Sequence, residues 1–305
     1  MTDTSSPRHL VTLENIPSAV LTRLLDRADA MREHAAPDLL AGRTVLNLFF
    51  EPSTRTRTSF ELAARRLGAW VVNFDTAHSS TSKGETLIDT LHTLEAMNID
   101  ALVVRHKEAG TPAFLARQAQ SGVAVVNAGD GNRAHPTQGL LDALTIRQQR
   151  GDVGALRAVI CGDILHSRVA RSDIHALKAL GVRELRLCGP RALLPAPDEV
   201  PGCSLHEDFD EAIQGVDVAI MLRLQVERMT AAMIPDTHSY FTHYGLSAAR
   251  LRRAAPECLV MHPGPINRGI EIAPEVADGP QSRILAQVAN GIPVRQAVLA
   301  ELLGC

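Results

Sequence analysis

The sequence predicts an α/β protein of two domains, each a parallel sheet flanked by helices. The length of 305 residues is enough for two domains that each bury a core of their own. The apolar share of 45% and the charged share of 21% are ordinary for a globular chain and unlike those of disordered proteins. Short apolar, β-branched runs alternate with amphipathic stretches along both halves, a pattern typical of βαβ units.

The first half contains four apolar runs that we predict to be buried parallel strands, at residues 44–50, 69–74, 101–105 and 123–127. Stretches with apolar residues at helical spacing lie between them, at residues 59–67, 86–97 and 112–120. A longer helical pattern at 139–149 ends in the polar turn Arg150-Gly151-Asp152, which we interpret as a hinge between the halves.

The second half repeats this rhythm and predicts a second α/β domain. Its predicted strands lie at 157–161, 184–187, 216–222 and 258–261, and its predicted helices at 172–180 and 247–254. Residues 195–202 contain three prolines and are expected to form a loop, and the helical pattern at 282–303 is expected to break near Gly291-Ile292-Pro293. We place the first domain at residues 1–147 and the second at 148–282.

Charge and cysteine content exclude several classes of protein. A net charge of −3 and a pI near 6.5 give no overall positive field for nucleic acid or an anionic membrane. The five cysteines are odd in number and form no Cys-x-x-Cys pair, so we expect reduced thiols, no metal site and a cytoplasmic location. The amino terminus lacks a signal-peptide pattern, and no run reaches the roughly 18 apolar residues of a membrane span.

Polar residues follow each predicted strand of the first half. Residues 51–58 follow the first strand, and residues 79–85 follow the second. The third strand ends in Arg105-His106, and the fourth leads through residues 128–131 to His135-Pro136-Thr137-Gln138. Because the carboxyl ends of parallel strands meet at the edge where such sheets bind ligands, we predict that these clusters share one site.

The first cluster predicts an anion site at a helix end. Ser53 or Thr54 can cap a helix that begins near Arg55, and the first amides of a helix carry partial positive charge. The hydroxyl of Thr56 adds a donor, and the guanidinium of Arg55 offers a fork that matches phosphate oxygens. The alternative is a capped helix with solvated arginines, which explains the interleaving of two arginines with four hydroxyls less well.

Arg105 and His135 are candidate donors to the same ligand. Each alone could be structural, but both are expected to point at the helix end, where a donor pair could stabilise an oxygen that gains negative charge in acyl transfer. Gln138 lies one helical step further and can present its amide there. In the second half, Arg168 and Arg223 occupy the corresponding strand edge and suit a ligand with carboxylates, although each taken singly could be a surface charge.

These motifs resemble the aspartate and ornithine carbamoyltransferase family over nearly the whole chain. Residues 49–57 resemble its carbamoyl-phosphate signature, and residues 135–138 resemble its second signature. The aspartate branch is indicated by Arg223-Leu224-Gln225-Val226-Glu227-Arg228 and by His262-Pro263-Gly264-Pro265, whereas the His-Cys-Leu-Pro signature of the ornithine branch is absent. The family often has leucine where Gly264 stands, but a contact made through the backbone survives that change.

The resemblance implies an enzyme of de novo pyrimidine biosynthesis that transfers the carbamoyl group of carbamoyl phosphate to the α-amine of L-aspartate. It also implies that a C-terminal helix at 283–305 returns to the first domain. By matching positions, the resemblance implies that the phosphate is bound by Ser53, Thr54, Arg55 and Thr56, and the carbamoyl oxygen by Thr56, Arg105 and His135. The carbamoyl amine is assigned to Gln138, and the carbamoyl group also contacts the carbonyls of Pro263 and Gly264. Aspartate is assigned to Lys83, Arg168, Arg223 and Gln225, and a neighbouring subunit contributes Ser79 and Lys83. The implied catalytic set is Thr56, Arg105, His135 and Lys83.

The resemblance further implies a homotrimer with shared active sites that needs no metal and no cofactor. Partner chains, either regulatory or dihydroorotase-like, stay open. Two other functions also stay open, namely transfer to another amine such as ornithine and a noncatalytic homologue that serves as a scaffold. A dinucleotide-binding enzyme is disfavoured because no Gly-x-Gly-x-x-Gly follows a predicted strand.

Overall fold

The computed structural model of the chain describes residues 7–74, 85–120, 122–224 and 237–305. The chain divides into two compact units, one of Met1–Leu141 with Ala289–Cys305 and the other of Asp142–Val288. Each unit is built on one parallel sheet, which confirms the predicted α/β class. None of the described helices is long and apolar enough to cross a lipid bilayer.

The sheet of the first unit has four parallel strands in the order β2-β1-β3-β4. The strands are β1 (Thr44–Phe49), β2 (Trp70–Phe74), β3 (Ala101–His106) and β4 (Ala124–Asp130). β1, β3 and β4 are almost entirely buried, as expected of parallel strands covered by helices. β2 is an edge strand, and its Trp70 is 73% exposed.

Helices pack on this sheet because their apolar residues recur at helical spacing. The helices of the first unit are α1 (Ser18–Glu33), α2 (Thr54–Arg66), α3 (Leu87–Ala96), α4 (Thr111–Gln118), the start of α5 (Pro136–Arg150) and the end of α11 (Ile284–Leu302). Leu91 and Leu94 of α3 and Leu115 of α4 form one apolar cluster with Leu102 and Val104 of β3.

The segment before α1 pairs with the outer edge of β4. The amide of Leu10 donates to the carbonyl of Val125, and the amide of Asn127 donates to the carbonyl of Leu10, both at 2.9 Å. The side chain of His9 takes part, since its Nδ1 accepts a hydrogen bond from the amide of Val125 at 3.0 Å. An edge that would otherwise expose backbone groups is therefore covered.

The C-terminal helix α11 ends in the first unit. Glu301 forms ion pairs with Arg23 (2.8 Å) and Arg27 (3.1 Å) of α1, which confirms the expected return of this helix to the first domain. The expected break near Pro293 is wrong, because Pro293 lies inside a continuous helix. Proline removes one backbone donor, but residues 297–300 are buried, and packing of this apolar run keeps the helix intact.

The second unit has five parallel strands in the order β7-β6-β5-β8-β9. Its elements are β5 (Arg157–Cys161), α6 (Arg168–Ala179), β6 (Glu184–Cys188), β7 (Ser204–His206), α7 (Phe209–Ala212), β8 (Val218–Met221), α8 (Thr237–Tyr244), α9 (Ala248–Leu251), β9 (Leu259–Met261) and α10 (Pro274–Ala277). The side chains of successive residues of β5 lie on opposite faces of the sheet. Ile160 belongs to one apolar cluster with Ile174 of α6, and Val159 belongs to another with Phe209 of α7. This two-sided burial explains why the strands are apolar runs without alternation.

All eight predicted strands are confirmed, with small shifts at their ends. The predicted loop at 195–202 contains a single short turn of 3-10 helix, Pro197–Glu199. Strand β7 and helices α1, α7, α8 and α10 had not been predicted.

Candidate active site

The carboxyl ends of β1, β3 and β4 lie side by side in the first unit. Phe49 of β1 pairs with Arg105 of β3, and His106 pairs with Asp130 of β4. The amide of Phe50 extends the first pairing by donating to the carbonyl of Arg105 at 2.9 Å. The polar segments that follow these three strands therefore begin at neighbouring points on one edge of the sheet.

Helix α2 begins at Thr54, five residues after Phe49, the last paired residue of β1. Ser53 occupies the cap position with an extended backbone, but its side chain makes no capping hydrogen bond. The first amides of a helix have no partner within the helix and carry the positive end of its dipole. This helix end thus keeps the donor character that a phosphate requires, and Thr56, only 8% exposed, lies in its first turn.

Arg105 lies at an irregularity in the sheet. Val104 pairs with Asn127 but His106 pairs with Asp130, so the pairing of β3 with β4 shifts at Arg105. Such irregularities re-aim side chains at strand ends.

The guanidinium of Arg105 contacts one residue that follows β1 and one that lies in β4. Its Nε lies 3.2 Å from Oε2 of Glu51, a close ion pair that lacks the alignment of a hydrogen bond. Its Nη1 donates to the carbonyl of Ala128 at 3.3 Å. Both charged side chains are only 13% exposed. Glu51 belongs to the polar cluster at 51–58 that was predicted to lie at this edge, but no role was predicted for it; its place directly after the first strand is the signal that could have identified one.

His135 lies at the end of the turn after β4, and Gln138 lies in the first turn of α5. The amide of Asp130 donates to the carbonyl of Ala134 at 3.0 Å, which reverses the chain just before His135. His135 is 5% and Gln138 9% exposed, and the Gln138 amide donates to the carbonyl of His135 at 2.9 Å. Both side chains are therefore held in a largely buried position behind the strand edge.

Gly131 allows this turn to approach the loop after β3. Its φ of +48° lies in the left-handed region, and a Cβ built there would be 2.8 Å from the backbone nitrogen of Ala109. Its amide donates to the carbonyl of His106 at 2.9 Å. The two loops beside Arg105 thus meet at a point that only glycine fits without strain.

The second unit presents an equivalent edge, where β5, β8 and β9 are neighbours. After β5, the carboxylate of Asp163 accepts from the amide of His166 at 3.1 Å, and Ser167 caps α6 by accepting from the amide of Ala170 at 3.1 Å. Arg168 is the first residue of α6. Arg223 follows β8 and is half-buried.

The turn after β9 begins with His262, which is 1% exposed. Its Nδ1 accepts from the amide of Gly264 at 2.8 Å, and its Nε2 lies 3.1 Å from Oε1 of the buried Glu271. Since Nδ1 accepts, the ring proton of neutral His262 resides on Nε2 and is donated to Glu271. The same carboxylate accepts from the amide of Asn267 at 2.6 Å, so both ends of the turn are fixed to one side chain.

Three predicted site residues, Ser79, Lys83 and Gln225, lie outside the described residues. The others fall into two sets, with Ser53, Thr54, Arg55, Thr56, Arg105, His135 and Gln138 at the sheet edge of the first unit and Arg168, Arg223, Pro263 and Gly264 at that of the second. Within the described ranges, no cluster of three or more His, Cys, Asp or Glu side chains could hold a metal ion.

Comparison with models of protein families shows to which family the chain belongs. Residues 8–148 match the model described as the aspartate/ornithine carbamoyltransferase carbamoyl-P binding domain, and residues 155–302 match the Asp/Orn binding domain. The chain belongs to the aspartate/ornithine carbamoyltransferase family. The resemblance predicted from the sequence motifs is thereby confirmed.

Relatives within this family carry the name of the aspartate branch. The aspartate carbamoyltransferase catalytic subunit of Stenotrophomonas maltophilia is 56% identical over 304 residues, covering 97% of this chain and 96% of that protein. The corresponding subunit of Xanthomonas campestris pv. campestris is 57% identical over 303 residues, with the same coverage.

Solved carbamoyltransferase structures have the same fold. Aspartate transcarbamoylase from Trypanosoma cruzi in complex with carbamoyl aspartate and phosphate superposes with a TM-score of 0.87 at 33% identity, covering 97% of this chain and 96% of that one. Ornithine carbamoyltransferase from Thermus thermophilus also gives 0.87, at 28% identity, covering 97% and 99%. The fold therefore does not discriminate between the amine acceptors, and the choice depends on side chains and on sequence identity.

Proposed function

We propose that the chain transfers the carbamoyl group of carbamoyl phosphate to the α-amine of L-aspartate, giving N-carbamoyl-L-aspartate and phosphate. The close relatives named as catalytic subunits of aspartate carbamoyltransferase support this activity. The observation that carries it is the gathering of the amino end of α2, Arg105 and the His135 turn at one sheet edge of the first unit. The reaction belongs to pyrimidine synthesis, for which we propose a cytoplasmic location.

In this proposal the first unit binds carbamoyl phosphate. Ser53, Thr54, Arg55 and Thr56 hold the phosphate through hydroxyls, the guanidinium and the free amides of α2. Thr56, Arg105 and His135 donate to the carbamoyl oxygen, and Gln138 contacts the carbamoyl amine. The burial of Thr56, His135 and Gln138 supports these roles, because donors in a water-poor site stabilise developing charge most strongly.

The second unit binds the acceptor. Arg168, Arg223 and Gln225 hold the carboxylates of aspartate, and the carbonyls of Pro263 and Gly264 accept hydrogen bonds from the carbamoyl group. Guanidinium groups bind carboxylates in a bidentate manner. Two arginines, one at the start of α6 and one after β8, therefore suit a dicarboxylate better than a cationic amine such as ornithine.

The chemistry needs no covalent intermediate on the protein. The α-amine nitrogen attacks the carbamoyl carbon, a C–N bond forms, and the carbonyl oxygen gains negative charge in a tetrahedral intermediate. The bond from carbon to the phosphate oxygen then breaks, and the departing phosphate accepts the amine proton. The protein must offset the repulsion between two anionic substrates and stabilise the oxyanion, which the arginines and the donors Thr56, Arg105 and His135 do.

We propose a homotrimer in which Ser79 and Lys83 complete the site of a neighbouring subunit, with Lys83 contacting both substrates. The proposed functional domains are residues 1–147 with 283–305, and residues 148–282. Association with regulatory or dihydroorotase-like chains would add to this trimer without changing its chemistry.

The deciding experiment compares acceptors on the purified chain. Colorimetric detection should show ureido product with carbamoyl phosphate and L-aspartate, and none with L-ornithine. An Arg55→Ala variant should lose binding of inorganic phosphate in calorimetry, whereas Arg65→Ala, at the far end of the same helix in an exposed pair with Glu61, should bind phosphate normally. Product with ornithine alone, or normal phosphate binding by Arg55→Ala, would contradict the proposal.

A further inference from the structure

The turn that follows β9 is anchored from a second side by a buried glutamine. Gln287 lies in α11 and is only 2% exposed. Its Oε1 accepts from the backbone amide of His262 at 2.9 Å. Its Nε2 donates to Oδ1 of Asp142 in α5 at 2.6 Å. The two bonds use opposite ends of the amide and therefore fix its orientation.

The acceptor of the second bond belongs to a buried pair of carboxyl groups. Asp142 and Asp173 of α6 are each 1% exposed. Burial, together with the charge of Asp142, raises the pKa of Asp173 well above its ordinary value. Folding therefore favours the protonated form of Asp173 beside Asp142. The 2.6 Å separation between Gln287 Nε2 and Asp142 Oδ1 is that of a short hydrogen bond.

The bond to His262 lies at the base of the turn that carries Pro263 and Gly264. The Gln287 amide holds the backbone of His262, while Glu271 holds its ring. Gly264, with a φ of +65°, donates its own amide back to that ring. The direction of the Pro263 and Gly264 carbonyls is thus set by His262, and the position of His262 is set by Gln287.

We infer that Gln287 is a positioning residue for carbamoyl transfer. It directs the Pro263 and Gly264 carbonyls by linking the backbone amide of His262 to Asp142 of α5. This inference rests on the proposed function, in which those carbonyls accept hydrogen bonds from the carbamoyl group. Misplacing a contact group by about 1 Å can cost on the order of 10²-fold in rate. A residue that touches neither substrate can therefore govern turnover.

The test replaces Gln287 and measures the binding of two ligands, carbamoyl phosphate and inorganic phosphate, which the turn should affect differently. Gln287→Leu keeps the approximate volume but removes both hydrogen bonds. We expect turnover to fall by roughly ten- to a hundredfold, with weaker binding of carbamoyl phosphate. Binding of inorganic phosphate should be unchanged, because that ion is assigned to residues 53–56 of the first unit. The two ligands share the phosphate site and differ only in the carbamoyl group.

Two further variants separate positioning from loss of stability. Ile174→Val removes one methyl group from the core beside Asp173 and controls for destabilisation of the same unit. Should Gln287→Leu fail to fold, the double variant Gln287→Leu with Asp142→Asn also removes the carboxyl group that Gln287 contacts, and it should show the same kinetic defect.

The outcomes are distinct. A Gln287 variant that turns over like Ile174→Val overturns the inference, and so does one that loses inorganic phosphate and carbamoyl phosphate binding to the same extent. Absence of carbamoyl aspartate from the unmodified chain would instead overturn the proposed function, and that result is visible before any variant is made.

Discussion

Replacing Arg105 by alanine tests the proposed oxyanion site. Removal of one donor to a developing oxyanion costs about 10²- to 10³-fold in turnover, equivalent to roughly 2.7–4 kcal/mol. The structure adds a second cost, since Glu51, 13% exposed and 3.2 Å from Arg105, loses this ion pair. Removing one partner of a buried ion pair costs up to about 3–5 kcal/mol of folding free energy. The variant should therefore lose both turnover and stability, and the two losses must be measured separately.

Both quantities can be measured on the same samples. Initial rates of carbamoyl aspartate formation at saturating substrates give the catalytic loss, and urea unfolding gives the loss of stability. Arg65→Ala is the matched control, because it removes an arginine from an exposed ion pair of the same unit, and such pairs contribute about 0–1 kcal/mol. A folded Arg105→Ala chain with unchanged turnover would refute the assignment of Arg105 to the carbamoyl oxygen.

Two further predictions concern the frame around the site. Burial and Arg8 lower the pKa of His9 from its ordinary 6.5, so folding favours the neutral form of His9. The contribution of neutral His9 to stability is present above pH 6.5 and is lost as the pH falls through the lowered pKa. The NMR protection factor of the Val125 amide, which donates to His9, should therefore decrease over that acidic window, and a pH-independent protection factor would contradict the prediction. Gly131→Ala should destabilise the chain by about 1–3 kcal/mol in urea unfolding, because Gly131 has a positive φ and its contact with the backbone of Ala109 leaves no room for a Cβ. Gly42→Ala, at φ +81° in open space, should cost less. Equal losses would show that the close approach has no energetic consequence.

The sequence predicted what depends on periodicity and on chain order. Buried parallel strands are apolar runs, so all eight predicted strands are present, and the polar residues that end them necessarily fall on a common edge of each sheet. Ser53, one of the two residues expected to cap α2, occupies its cap position, although its side chain makes no capping hydrogen bond. The missed helix α1 had a usable signal, since its buried Val20, Leu21, Leu24, Leu25 and Ala28 recur at helical spacing.

Other features depend on tertiary contacts and have no local signal. Hydropathy would bury Leu285 and expose Gln287, yet Leu285 is 83% exposed and Gln287 is 2% exposed. The glutamine is buried because Asp142 and the amide of His262 satisfy both ends of its amide, and these partners are far from it in sequence. The continuity of α11 through Pro293 has the same origin, since packing outweighs a local preference.

The proposed function requires residues of both units to contact one pair of substrates. N-(Phosphonacetyl)-L-aspartic acid carries a phosphonate and an aspartate moiety in one molecule. A crystal structure of this chain with that compound is predicted to show the phosphonate at the amino end of α2 beside Arg105, and the carboxylates at Arg168 and Arg223. A compound bound elsewhere, or contacted by only one of the two units, would contradict the account.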